Sequence, residues 1–227
     1  MDATIERQPL LSKAINVQFA MEAGPLRRGT ARRLHGLNPN TALLVVDMQL
    51  GFDDPAWGAR NNPMAEANVA AVLAAWRAAG APVIHIHHDS PNPSGLLRQG
   101  TRGNAPKPEA APIAGEKIYR KSVNSAFIGT SLEADLRDLG IDAVAIVGLT
   151  TNHCVSTTAR MAGNLGLKTF VLADATATFD RANLDGQIRL ANDVHNAALS
   201  DLQDEFAEII DTNRALAALA RHRDSHV

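Results

Sequence analysis

The one cysteine of the chain, Cys154, lies in Gly148-Leu149-Thr150-Thr151-Asn152-His153-Cys154-Val155, just past an apolar run and at the start of a helical pattern. A helix N-terminus stabilises anions, so this placement predicts a lowered thiol pKa and free amides able to hold an oxyanion. The competing reading is a small buried hydrophobe. Asp47 ends the most apolar run, Ala42–Val46, an unfavourable place for a carboxylate without a partner; it is a base or a loop cap. Lys121 follows a short predicted strand and is either functional or solvated surface. Should the three meet, Asp47 can take the thiol proton, Lys121 can hold both charges, and Cys154 can attack a carbonyl.

Other constellations compete. His153-Cys154-x5-Arg160 formally matches the HCx5R signature of cysteine phosphatases. Cradling a phosphate needs successive amides curled around one anion, usually with a glycine in the loop. Residues 155–159 contain none, so they should continue as helix and carry Arg160 away from the sulfur. A third reading keeps the fold as a non-catalytic interaction scaffold and predicts an inert thiol. His85, His87, His88 and Asp89 look like a metal cluster, but alternation on a strand puts His85 and His87 on one face and His88 on the other. Pocket-lining or hydrogen-bonded histidines are the preferred reading, and His195 reads as structural or as a subunit contact.

The elements that would position these residues follow from periodicity. With 227 residues, 45% hydrophobic and 20% charged, the chain can bury a full core. Strands are predicted at Ala42–Val46, Pro82–His87, Glu116–Tyr119, Ala143–Val147, Thr169–Ala173 and Phe206–Ile210. Helices are predicted at Glu66–Ala79, Thr130–Leu139, Asn152–Leu165 and Gly186–Ser200, with an Ala-rich helix at the C-terminus. Such alternation implies right-handed crossovers: an α/β, doubly wound, mostly parallel sheet with helices on both faces. Sites in such sheets form at the carboxyl edge, where Asp47, the loop after His87 and the segment after Val147 all lie.

Net charge is near −2 and aromatics are 4%, which argues against nucleic acid or an anionic membrane as the main partner. One cysteine permits no intrachain disulfide, and no apolar run approaches the ~20 residues of a membrane span. A cytoplasmic globular protein is expected. Residues 1–40 carry six basic and three acidic groups, a local charge of about +3, and are expected to form an arm preceding one domain at 41–227. Ser90–Pro112 is a long surface loop expected either to close the site or to reach a neighbouring subunit, and entry of its Arg98 or Arg102 into the pocket would favour an acidic substrate.

Taken in order, Leu44-Val45-Val46-Asp47-Met48-Gln49 with Phe52, Lys121 ahead of Ser125-Ala126-Phe127, Gly129-Thr130-Ser131-Leu132, Gly148-Leu149-Thr150-Thr151, Cys154-Val155-Ser156-Thr157-Thr158-Ala159 and Asp174-Ala175 resemble the isochorismatase-like (cysteine hydrolase) family. The match runs from about Thr41 to Ile210. The resemblance implies a six-stranded parallel sheet, an Asp47–Lys121–Cys154 triad, a cis peptide at Leu149–Thr150, and an oxyanion hole of the Thr150 and Cys154 N–H groups. Amides or ureides would be cleaved through a thioester, releasing ammonia or an amine, with Asp47 as base for the closing water. Isochorismate hydrolases lack this cysteine, so Cys154 argues against vinyl-ether cleavage. Nicotinamidases hold a metal through an early Asp-x-His, absent from Phe52-Asp53-Asp54-Pro55-Ala56-Trp57-Gly58.

The resulting expectation is a cysteine amidohydrolase, without metal or other cofactor, acting on a small amide, carbamoyl or ureide compound. Phe52, Trp57, Asn124, Asn152 and His153 flank the triad and are candidate substrate contacts; packing for the aromatics and turn chemistry for the asparagines are the alternatives. Family members are commonly dimers or larger, and a homo-oligomer is expected.

Overall fold

The structure is a computed structural model and describes residues 37–224. The expected N-terminal arm therefore lies, but for its last four residues, outside the described residues.

Six strands form one parallel sheet: β1 (Ala42–Val46), β2 (Val83–His88), β3 (Lys117–Lys121), β4 (Ala143–Leu149), β5 (Lys168–Ala177) and, numbered after a hairpin described below, β8 (Glu208–Ile210). Their spatial order is β3-β2-β1-β4-β5-β8. Helices α1 (Ala65–Ala78), α2 (Leu132–Asp138), α3 (Ser156–Asn164), α4 (Ala191–Leu202) and α5 (Thr212–Asp224) complete the fold. Strand alternation divides the core in two. Leu43, Val45, Val147 and Phe170 pack with Val69, Trp76 and Leu219 of α1 and α5 on one face. Leu44, Val46, Ile146 and Val171 pack with Leu136, Ala159 and Leu202 of α2, α3 and α4 on the other. Among the described residues no helix is long and apolar enough to cross a membrane.

The order of the strands reverses direction between β1 and β4, and a crevice must open there at the carboxyl ends. The two strands approach closely at that point. Val46 pairs with Gly148, whose φ is 116°; a Cβ on Gly148 would stand 1.9 Å from the Val46 carbonyl oxygen. Only glycine fits both constraints.

Several boundaries differ from expectation. The helix expected at Gly186–Ser200 begins only at Ala191, and β6 (Arg181–Ala182) and β7 (Ile188–Arg189) pair antiparallel ahead of it. Asp185-Gly186 makes the turn, with Gly186 at φ 84° and the Gln187 N–H bonded to Asp185. Asp-Gly is a hairpin signal that outweighs helical periodicity here. The helix expected at Asn152–Leu165 is split: residues 151–155 form a π-helical turn, and α3 follows. β5 runs four residues beyond Ala173, because it re-pairs with β4 after a bulge, Ile146 to Val171 and then Gly148 to Thr176.

The loop expected at Ser90–Pro112 is less superficial than its composition implies. It holds two short 3-10 turns and buries Leu97, Asn104, Lys107 and Ala110. Asn104 donates to the His88 and Leu97 carbonyls, and Gln49 donates to the Asn104 carbonyl, so the loop is tied across the ends of β1 and β2.

Candidate active site

At the carboxyl edge, neighbouring strands each contribute a polar side chain. Asp47 follows β1 at φ 50°, a conformation that Asp tolerates better than most residues. His88 ends β2 and Lys121 ends β3 in register with it. Lys121 has a long enough side chain to cross the end of β2 and reach β1. Its Nζ lies 2.7 Å from Asp47 Oδ2, 3.3 Å from Cys154 Sγ and 3.2 Å from His88 Nδ1. An ammonium has three hydrogens, and these three partners accept all of them. The Asp47 and Lys121 side chains have no exposed surface.

Cys154 is the fourth residue of the π-helical turn that follows β4, a kind of turn often found at functional sites. The turn is anchored at its first residues. The Thr150 carbonyl accepts from the His153 and Val155 N–H groups, and Thr151 Oγ1 is 2.8 Å from His195 Nδ1 of α4. That contact is the place His195 takes in this chain. The Leu149–Thr150 peptide bond is cis.

Burial dominates the electrostatics. It pushes the Asp47 carboxyl up, opposed by the charge and hydrogen bonds of Lys121 and Cys154. Burial, and then the Asp47 carboxylate, push the Cys154 thiol up to about 12, with Lys121 opposing. The lowered thiol pKa expected from a helix start is thus corrected. In the π turn the sulfur is shielded from water and beside a carboxylate, and both effects outweigh the turn's dipole. The resting thiol is neutral and Asp47 is a stronger base than a solvated carboxylate. Asp47 Oδ1 has no hydrogen-bond partner among the described residues, so one lone-pair-bearing oxygen stays available.

A cavity of about 130 Å3 opens over the sulfur, lined by Asp47, Phe52, Trp57, His88, Leu97, Asn124, Thr150, His153 and Cys154. Of the expected substrate contacts, Phe52, Trp57, Asn124 and His153 line it; Asn124 Oδ1 is 3.8 Å from Cys154 Sγ. Asn152 does not line it; its side-chain oxygen accepts from Thr178 Oγ1 at 2.5 Å. Phe52, Trp57 and Phe179 form an aromatic cluster, with Trp57 and Phe179 stacked at 5.5 Å between centroids. His88, expected to be a pocket-lining or hydrogen-bonded histidine, lines the cavity; Leu97 lines it without being among the expected contacts, and Phe179 borders the adjoining hollow with Trp57. For His88 a signal existed, since it closes the strand beside Asp47. Leu97 arrives on the long 90–112 loop and Phe179 from just past β5, and no local pattern singles out either residue.

The remaining candidates lie elsewhere. Arg160 sits over the Phe206 ring at 4.7 Å with Asp201 beside it, and it does not line the cavity, so its guanidinium does not fork over the sulfur. Neither Arg98 nor Arg102 lines the cavity either; Arg102 borders a separate hollow with Asp53 and Asp54. His85 Nε2 is 2.8 Å from Glu116, which Arg77 also holds. Among the described residues the group able to converge on a metal is Asp47, His88 and Cys154, whose ligand atoms lie within 4.8 Å of one another. Lys121 is hydrogen-bonded to all three, so a cation of the chain's own already serves them.

Residues 41–214 match the Isochorismatase domain family. The isochorismatase family protein YrdC of Bacillus subtilis is 46% identical over 77% of this chain and 94% of its own length. Maleamate amidohydrolase of Pseudomonas putida is 29% identical over 82% of this chain and 90% of its own. A crystal structure of an isochorismatase-family protein from Chromobacterium violaceum superposes with a TM-score of 0.81 at 42% identity, covering 85% of this chain and 99% of that one.

Proposed function

Since the chain belongs to the isochorismatase family, we propose that it is a cysteine-dependent amidohydrolase that cleaves the C–N bond of a small amide, carbamoyl or ureide compound. The observation that carries this reading is the position of Lys121 Nζ, bonded at once to the carboxylate of Asp47 and the sulfur of Cys154 beneath the cavity. The amide-hydrolysing activity named for the Pseudomonas relative supports the same class.

The chemistry follows from the proton inventory. The neutral thiol attacks the carbonyl carbon as its proton passes to Asp47; the S–C bond forms and the carbonyl oxygen takes the negative charge. The Thr150 and Cys154 N–H groups receive that oxyanion. Its collapse breaks the C–N bond, and the proton held by Asp47 goes to the departing nitrogen, leaving a thioester and free ammonia or amine. Water then attacks the thioester, Asp47 takes one of its protons, and collapse expels the thiolate, which Asp47 reprotonates. The net change is amide plus water to acid plus amine. Throughout, Lys121 keeps the sulfur and carboxylate from repelling one another when either becomes negative.

Ammonia release from a panel of small amides, carbamoyl compounds and ureides tests the reading, with intact-mass analysis after rapid acid quench. Hydrolysis by the wild type, loss in Cys154→Ala, and an acyl adduct on the chain are expected. Hydrolysis that survives Cys154→Ala would exclude the cysteine mechanism.

A further inference from the structure

Beyond the inner cavity lies a second one of about 320 Å3, and Trp57, Thr150 and His153 line both. Its other walls are Thr178, Phe179, Asp180, Arg181 and Ala182, with Ala56 at the rim. It is the outer chamber of the same site, bounded by the β6–β7 hairpin. Arg181 is exposed, and among the described residues its guanidinium has no hydrogen-bond or ion-pair partner. Across the hairpin it pairs with Arg189, also exposed. Directly opposed residues of an antiparallel pair project from the same face, so two like charges stand together, an arrangement that is unfavourable until an anion relieves it.

Two carboxylates stand near, Asp180 in the chamber wall and Asp185 in the hairpin turn, and neither is paired with Arg181. Asp180 Oδ1 accepts from the Ala191 N–H at the start of α4, and Asp185 Oδ1 accepts from the Gln187 N–H in the hairpin turn. His153, between the chambers, is held toward its neutral form by burial and by Arg181, so it adds a hydrogen-bonding wall and no second charge. A ligand spanning both chambers would meet the sulfur at one end, the Trp57 and Phe179 rings in the middle, and an unpaired guanidinium at the other.

We propose that the outer chamber is a carboxylate subsite and that the substrate is an amide bearing a carboxylate remote from the scissile bond, received by Arg181. A guanidinium presents a planar fork that matches a carboxylate in bidentate fashion. The cation sits where the sequence alone would have looked to Arg98 or Arg102. This inference rests on the amidohydrolase reading of the inner cavity, but binding tests it separately from turnover.

The probes are succinamic acid and 4-carbamoylbenzoic acid, each beside its methyl ester. Calorimetric binding to Cys154→Ala, in which the thiol is absent, is compared with the double variant Cys154→Ala/Arg181→Ala. At least one acid should bind about tenfold or more tighter than its ester, and the preference should vanish without Arg181, as expected for a charge-assisted contact. Where the wild type hydrolyses the pair, Arg181→Glu should reverse its acid-over-ester preference. Acid and ester binding alike, neither acid binding, or an acid preference that survives loss of Arg181 would overturn the subsite. An Arg181-dependent preference without hydrolysis of any amide would uphold the subsite and sink the amidohydrolase reading instead.

Discussion

Lys121→Met deletes a charge while keeping most of the side chain, and its effect should depend on pH in a way that reports on Asp47. The two groups are 2.7 Å apart with neither side chain exposed. At an effective dielectric constant of about 20, unit charges at that separation attract by about 6 kcal/mol. Removing one partner of a buried pair typically costs about 3–5 kcal/mol, since the other is left desolvated and uncompensated. The stranded carboxylate can escape by taking a proton. Burial already raises the Asp47 pKa above 3.8 in the native state, and Lys121 is the main influence lowering it. A carboxyl whose folded pKa exceeds its unfolded one binds more protons when native, so stability falls as pH climbs from the unfolded pKa to the folded one. Without Lys121 that window extends upward. The stability gap between wild type and Lys121→Met should therefore be small near about pH 5 and reach about 3–5 kcal/mol near about pH 8. Urea denaturation at the two pH values measures it. Asp47→Asn/Lys121→Met, which removes the stranded charge, should recover at least half of the loss at the higher pH. A gap equal at both pH values, or a double variant no more stable than the single one, would refute the reasoning.

Three further outcomes are expected. Asp47→Asn removes the carboxylate that helps hold the thiol up at about 12, so thiolate absorbance of this single cysteine should appear at lower pH than in wild type. Hydrolysis should meanwhile fall about 100-fold or more for want of the base; a thiol that titrates unchanged would remove Asp47 from its surroundings. His88→Phe leaves one Lys121 N–H without its acceptor at 3.2 Å, and kcat should fall about tenfold while His88→Asn restores part of it. Equal kcat in wild type and His88→Phe would show that the ammonium is positioned without the histidine. Gly148→Ala sets a Cβ 1.9 Å from the Val46 carbonyl at φ 116°, and the thermal midpoint should drop by the equivalent of about 3 kcal/mol or more. A shift worth under about 1 kcal/mol would mean that β1 and β4 can separate freely there.

The sequence by itself determined the layered architecture and the family. Short, fully apolar, β-branched runs such as Ala42–Val46 and Ala143–Val147 read as strands covered on both sides, and the helices between them imply parallel crossovers. Asp47, Lys121 and Cys154 were legible as residues of chemical interest because each stands at or just past the end of a predicted strand, and strand ends gather at one edge in such a sheet. Local rules were read less well where two signals competed: Asp185-Gly186 turns the chain within a pattern that is also helical. Tertiary structure alone decided the protonation of the site. A thiol at a helix start should acidify, yet its burial against Asp47 reverses the direction, and burial depends on every element packed above it. It alone also chose the pocket's remaining walls. Leu97, Phe179 and Arg181 come from segments far apart in the chain and meet through loop anchoring and a hairpin, contacts for which no local periodicity exists.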